Sequence, residues 1–230
     1  MRQIPLALGP EPTRSFDNFT VGVNAVVLAH LRQLHHQLLT GGPPLFLWGP
    51  GGVGKTHLLH ALAQQWQSLG AKVAKFDAQT PLPWEPDEDV RLVLLDNCER
   101  FCADRQHAAF ALFVEAATLN MTVVGTGNCP AVDLPVREDL RTRLGWGPVF
   151  EVQALGEDQS RAVLRREADR RGIHLSDDVM SYLLTRFARD LSHLMHLLDR
   201  LDEFALSQKR GVTVPLLKQM LRDEENEESP

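Results

Sequence analysis

No stretch of this 230-residue chain approaches the roughly 18 consecutive apolar residues that a bilayer span requires, which argues against a helical membrane protein. The N-terminal apolar run up to Leu8 is too short for a secretory core and lacks a cleavage site. Cysteine is scarce. Cys98, Cys102 and Cys129 are odd in number and lack metal-ligand spacing, so neither a disulfide framework nor a zinc site is expected. They suit a reduced cytoplasmic compartment, with each thiol packed as a small hydrophobe. A basic excess is missing too. Acids outnumber bases 30 to 24, for a net charge of −6, whereas duplex DNA binding draws on Lys and Arg. No direct sequence-specific DNA binding is therefore expected. Part of that acidity lies in a tail at 223–230, which reads as a solvated, disordered end. No internal repeat is present.

What the chain does have is an ordinary apolar fraction, 43%, patterned as alternating strands and helices up to about Val152 and as helices alone beyond. Residues 1–12 hold three prolines and read as an extended arm. Asn24 is placed to cap a helix running to about Leu39, stopped by Gly41-Gly42-Pro43-Pro44. Strands are expected at Leu45–Trp48, Val73–Phe76, Leu92–Leu95, Met121–Val124 and Val149–Val152, the first and third as apolar runs buried on both faces. Between them, a stripe of Leu58, Leu59, Leu62, Trp66 and Leu69 marks one helix, and Ala109, Leu112 and Phe113 mark another over about 105–119. Residues 80–89, rich in Pro and acid, read as an exposed connection. Helices near 157–171, 177–187 and 190–207 follow, and Pro215 opens a short last one. The fold class is α/β, a parallel sheet covered by helices on both faces, with a small C-terminal helical lid. The expected domains are an arm at 1–12, a nucleotide-binding domain at 13–155, a lid at 156–222 and the acidic tail.

The chemistry centres on Gly49-Pro50-Gly51-Gly52-Val53-Gly54-Lys55-Thr56, which meets the G-x-x-x-x-G-K-[ST] spacing. Glycines there let backbone N–H groups line a concavity for phosphates, and the next helix adds the positive end of its dipole. Lys55 can reach the β and γ phosphates, and Thr56 offers a hydroxyl to Mg²⁺. Asp96, at the end of the Leu92–Leu95 strand, is the acid such a loop needs beside the metal. The next residue, Asn97, cannot take a proton, so weak intrinsic hydrolysis is expected unless Glu99 substitutes.

Gly54-Lys55-Thr56-His57-Leu58-Leu59-His60-Ala61 resembles the P-loop of the bacterial replication initiator DnaA, an AAA+ ATPase. Phe16-Asp17-Asn18-Phe19, with Gly22 and Asn24, is similar to the linker that wraps adenine in that family. Arg143-Leu144-Gly145-Trp146-Gly147 resembles its arginine-finger segment. The resemblance covers roughly residues 13–220. The DNA-binding and helicase-contact domains of DnaA have no counterpart in it, which points to the Hda family of DnaA-homologous regulators. Gln3-Ile4-Pro5-Leu6-Ala7-Leu8 resembles the segment with which that family docks on the DNA polymerase sliding clamp, Gln3 at a polar rim and Ile4, Leu6 and Leu8 in an apolar pocket.

The resemblance implies ADP or ATP with Mg²⁺ as ligands, DnaA and the clamp as partners, and negative control of replication initiation. Phe16 and Phe19 are implied to contact the nucleotide through the adenine-wrapping linker, and His57 through the P-loop segment. Arg143 is implied to act in trans on the γ-phosphate of a neighbour, with Arg141 and Arg137 as alternatives in the same cluster. Asn128 follows the fourth strand, where the family carries its polar phosphate sensor, and Thr126 competes for that role. Ser192 stands where DnaA has a lid arginine, with Arg189 one turn earlier. Whether the chain forms a homo-oligomer stays open. The alternative functions are a self-sufficient ATPase of the helicase-loader type and a clamp-linked adaptor without finger chemistry.

Overall fold

The computed structural model describes residues 14–187, 191–208 and 210–227, which leaves the expected arm and Arg189 outside the described residues. The chain divides between Ala154 and Leu155 into two compact units. In the first, α1 (Ala25–Gln33) precedes β1 (Leu45–Trp48), α2 (Lys55–Ser68), β2 (Lys72–Phe76) and β3 (Val90–Leu95). Then come α3 (Ala103–Leu119), β4 (Thr122–Gly127), α4 (Glu138–Leu144) and β5 (Val149–Glu151). All pairings are parallel, in the order β2-β3-β4-β1-β5.

The alternation of side chains along each strand divides the core. Leu45, Leu47, Leu92, Leu94 and Val124 turn to one face, where they pack with α1 and with Leu58, Leu62 and Trp66 of α2. Phe46, Val93, Leu95 and Val123 turn to the other, against Leu112 and Phe113 of α3 and Leu140 and Leu144 of α4. Because the central strands are covered on both sides, they read as continuous apolar runs in the sequence. The edge strand β2 is different, with Lys72 and Lys75 exposed.

Several local expectations change. α1 ends at Gln33 and passes into a single 3-10 turn, Leu34–Gln37, while Leu39 is exposed. Leu69 is not on the buried stripe of α2, because the helix ends one residue earlier. The connection 80–89 is exposed along most of its length, as expected, but one residue anchors it. Trp84 is buried, stacking on Phe76 at 4.9 Å and meeting Phe101 edge-on at 5.2 Å. Helix α4 has no strong periodic signal, since its seven residues complete fewer than two turns and two leucines carry its burial.

The second unit holds α5 (Glu157–Arg170), α6 (Asp177–Phe187), α7 (Leu191–Gln208) and α8 (Val214–Glu227). Leu164, Leu183, Leu184, Leu194, Leu198, Leu201 and Leu217 form its core. The last helix is longer than its proline suggested and runs into the acidic stretch through residue 227. Thr213 starts it, its hydroxyl accepting the Leu216 N–H at 3.4 Å. Residues 216–227 contain no glycine or second proline to stop it. Ser192 lies within α7.

Candidate functional site: the phosphate loop and its surroundings

Strand β1 delivers the chain into residues 49–54, and α2 begins immediately at Lys55. Gly54, at the N-cap, has φ +101°, a left-handed conformation that disfavours any side chain. A Cβ there would also lie 2.9 Å from Phe19, whose ring rests against the loop. Lys55 is 94% removed from solvent and its Nζ donates to the carbonyls of Gly49 at 2.6 Å and Pro50 at 2.8 Å. A buried ammonium is tolerable only with such partners, and the same bonds hold the cation under the loop.

Asp96 emerges from β3 beside this loop. Its Oδ2 accepts the Thr56 hydroxyl at 2.7 Å and its Oδ1 accepts the Thr126 hydroxyl at 2.6 Å. Thr126, fully buried in β4, in turn accepts the Asn97 N–H at 2.8 Å. Asn97 itself adopts a left-handed backbone, φ 54°, which turns the chain away after the acid. The ends of three neighbouring elements are thereby joined through one carboxylate. Asn128, the sequence candidate for the polar sensor, lies one residue past β4 and is exposed, whereas Thr126 makes the contact to Asp96.

The linker closes the other side. His57 Nε2 is 2.9 Å from the Ser15 carbonyl, and the His57 and Phe19 rings lie 5.5 Å apart. Phe16 is buried in the core with α1, so of the two expected aromatic contacts Phe19 is the one at the loop. Asn24 occupies the N-cap position of α1 but does not cap it. Its amide instead pairs with the backbone of Gln153, donating to the carbonyl at 3.0 Å and accepting the N–H at 2.8 Å. This ties the start of α1 to the chain just past β5. The sequence held no signal for that choice, because the partner is 129 positions away.

Nearby, His60 has its pKa lowered, first by partial desolvation and then by the positive charges of Lys75 and Arg14, with Asp96 opposing. It is therefore held toward the neutral form.

Mg²⁺ takes hard oxygen ligands and usually only one or two from protein, the rest coming from phosphates and water. Thr56 and Asp96 fit that demand. Among the described residues no cluster of three His, Cys, Asp or Glu side chains could hold a metal without such help.

Arg143 sits in the last turn of α4, away from this loop. The Trp146–Pro148 segment after it meets the entry ends of the strands: the Phe46 N–H donates to Pro148 O at 3.0 Å, and Gly147 abuts the Pro44 carbonyl. The phosphate loop leaves the opposite end of β1, about 13 Å further on at roughly 3.3 Å per residue. The Arg143 guanidinium lies 4.6 Å from the Trp146 ring and 5.9 Å from the Phe110 ring. No carboxylate among the described residues is within ion-pair reach of it. Arg137, by contrast, is paired with Asp139 at 2.7 Å.

No helix among the described residues is long and apolar enough to cross a membrane. Gln3, Ile4, Leu6 and Leu8 lie outside the described residues.

Comparison with known proteins shows what the chain is similar to. Residues 157–221 match the model of the Hda lid domain, and residues 11–78 match that of the bacterial DnaA ATPase domain. An uncharacterised protein of Haemophilus influenzae is 29% identical over 96% of this chain and 98% of its own length. Domain III of DnaA from Thermotoga maritima superposes with a TM-score of 0.74 at 18% identity, covering 94% of this chain and 98% of that one. A replication initiator DnaA bound to AMPPCP and single-stranded DNA gives 0.68 at 20%, covering 94% and 70%. Sequence matches at both ends and a fold shared throughout make the chain similar to the DnaA ATPase domain in its first third and to the Hda lid domain near its C-terminal end.

Proposed function

We propose that this protein is a regulator of DnaA that supplies Arg143, in trans, to the ATP held by DnaA and so accelerates its hydrolysis. The observation that carries the reading is the position of Arg143. It projects from the strand-entry end of its own sheet, with the chain's own phosphate loop at the exit end. An arginine so placed serves a neighbour's phosphate and not its own. A trans-acting arginine that neutralises charge developing on the γ-phosphate is worth about 10³–10⁵ in rate in GTPases.

In this reading the Gly49–Thr56 loop binds ADP or ATP. Lys55 holds the phosphate chain, Thr56 and Asp96 hold Mg²⁺, and Phe19 and His57 line the linker side. The bound metal neutralises phosphate charge; the residues orient it and keep the loop closed. Asn97 stands in place of a second acid and cannot take a proton, so intrinsic hydrolysis is weak, with Glu99 the one nearby acid that could substitute. The nucleotide then acts chiefly as a structural ligand. Residues Gln3, Ile4, Leu6 and Leu8 dock on the sliding clamp, which restricts the activity to replicating DNA and prevents over-initiation.

The test is a single-turnover assay of ATP bound to DnaA, with clamp-loaded DNA and this protein. Arg143→Ala should abolish stimulation while nucleotide binding by this chain stays intact, with Arg141→Ala as the control. Full stimulation by Arg143→Ala would reject the finger. Deletion of residues 1–9 should remove the dependence on clamp-loaded DNA; unchanged dependence would reject the docking segment.

A further inference from the structure

We infer that Trp146 is the positioning residue of Arg143, a rigid indole shelf that holds the guanidinium extended toward a partner's phosphate. This rests on the reading of Arg143 given above. Trp146 is 69% exposed, an unusual place for the largest apolar side chain. Its ring is not idle there: the Arg143 guanidinium carbon lies 4.6 Å from its centroid, with Phe110 of α3 at 5.9 Å completing an aromatic cleft.

The backbone around Trp146 is fixed from both sides. On one side its N–H donates to the Arg143 carbonyl at 3.3 Å, and the Gly145 N–H donates to Arg141 at 3.1 Å, closing the end of α4. On the other side Gly147 touches the Pro44 carbonyl so closely that any Cβ would collide with it. The indole is thus rooted at a fixed backbone position beside the arginine. It also forms one wall of an open depression of about 420 Å³ that Arg143 shares with the Gly41–Pro44 loop and Asn120.

The chemistry suits the task. A guanidinium is weakly hydrated and planar, so it stacks on an aromatic face while its N–H edge stays available for bidentate phosphate contacts. Stacking removes rotamer freedom before the partner arrives, which a carboxylate partner would also do, but a carboxylate would neutralise the charge the transition state needs. Among the described residues no carboxylate competes. Docking of a partner covers the indole and desolvates the pair, which strengthens the stacking.

The test uses the full chain and separates stacking from apolar docking. Trp146→Leu keeps apolar bulk and loses the π face; Trp146→Phe keeps a smaller face. Trp146→Leu should lower the maximal rate of DnaA-bound ATP hydrolysis at saturating protein by about 2- to 30-fold, the range of cation–π strength. The half-saturating concentration should stay within about twofold of wild type, and Trp146→Phe should restore most of the rate. A Trp146→Leu protein with wild-type maximal rate, or one altered in half-saturation alone, overturns the proposal. Arg143→Ala run in parallel keeps the two ideas apart. If it is inactive while Trp146→Leu is normal, only the shelf fails; if it is fully active, the finger reading and the shelf fall together. An NMR readout stands apart from activity: the Arg143 Hε resonance should be ring-current shifted in the wild type and lose that shift in Trp146→Leu. Absence of the shift in the wild type counts against stacking, and thermal denaturation must show both variants folded.

Discussion

Replacing Asn24 by Asp separates two roles that look alike in sequence. As a helix N-cap, Asp equals Asn and gains from the positive end of the helix dipole, so the change would be neutral or mildly stabilising. In the structure Asn24 is 98% buried and uses both ends of its amide on Gln153, accepting its N–H and donating to its carbonyl. Aspartate keeps the acceptor but sets a carboxylate oxygen against the Gln153 carbonyl, and it buries a charge without a partner. Loss of one such bond leaves a polar group unsatisfied at about 1–3 kcal/mol, and repulsion adds to it. We expect Asn24→Asp to destabilise by about 2–4 kcal/mol, and Asn24→Ala by about 2–3 kcal/mol. At about 2–4 °C per kcal/mol for a chain of this size, Asn24→Asp lowers the melting midpoint by about 5–15 °C. Thermal and urea denaturation of the full chain at pH 7 measure it. An Asn24→Asp protein as stable as the wild type would show that the residue is a cap and that the tie to the exit of β5 contributes nothing.

Thr126→Val should cost about 1–3 kcal/mol, because it strands the Asn97 N–H and removes one of the two hydroxyls on Asp96. Mg²⁺-nucleotide affinity, measured by calorimetry, should fall with it and be kept by Thr126→Ser, whereas Asn128→Ala should have the smaller effect; the reverse order would return the sensor role to Asn128. Among the thiols, Cys102 should react first with a disulfide reagent, since the backbone N–H and guanidinium of Arg105 favour its thiolate. Cys98, fully buried with its pKa pushed up by desolvation, should react only on unfolding, and mass mapping of labelled peptides decides between them. His60 has a folded-state pKa below its ordinary value of 6.5, so the unfolded chain binds more protons in that window. Stability should therefore be complete above about pH 7 and decline as pH falls through 6.5, and His60→Gln should flatten that slope in a pH series of denaturation midpoints.

How much of this could be read from the sequence depends on whether the cause was local. The central strands announced themselves because burial on both faces leaves apolar runs such as Leu45-Phe46-Leu47-Trp48 and Leu92-Val93-Leu94-Leu95. The phosphate loop did so because its spacing is set by backbone geometry within a few consecutive residues. Asp96 followed from its place at a strand end. What stayed hidden was decided across the chain. Trp84 sits among prolines and acids, yet it is buried because Phe76 and Phe101 come to it. The contact of Thr126 with Asp96 was not legible either, because the β3–β4 register sets it. Helix α4 is too short for periodicity to declare, and it is the element that carries Arg143. Asn24 carried the signature of a cap, and the tertiary contact took precedence.

We propose that the catalytic contribution leaves this chain through Arg143 while its own phosphate loop serves as a nucleotide-held scaffold. The direct measurement is the single-turnover hydrolysis rate of ATP pre-bound to DnaA, with clamp-loaded DNA and wild-type or Arg143→Ala protein. Strong stimulation by the wild type is expected, and a rate with Arg143→Ala equal to that of DnaA alone. Equal stimulation by both proteins, or none by the wild type, would contradict it.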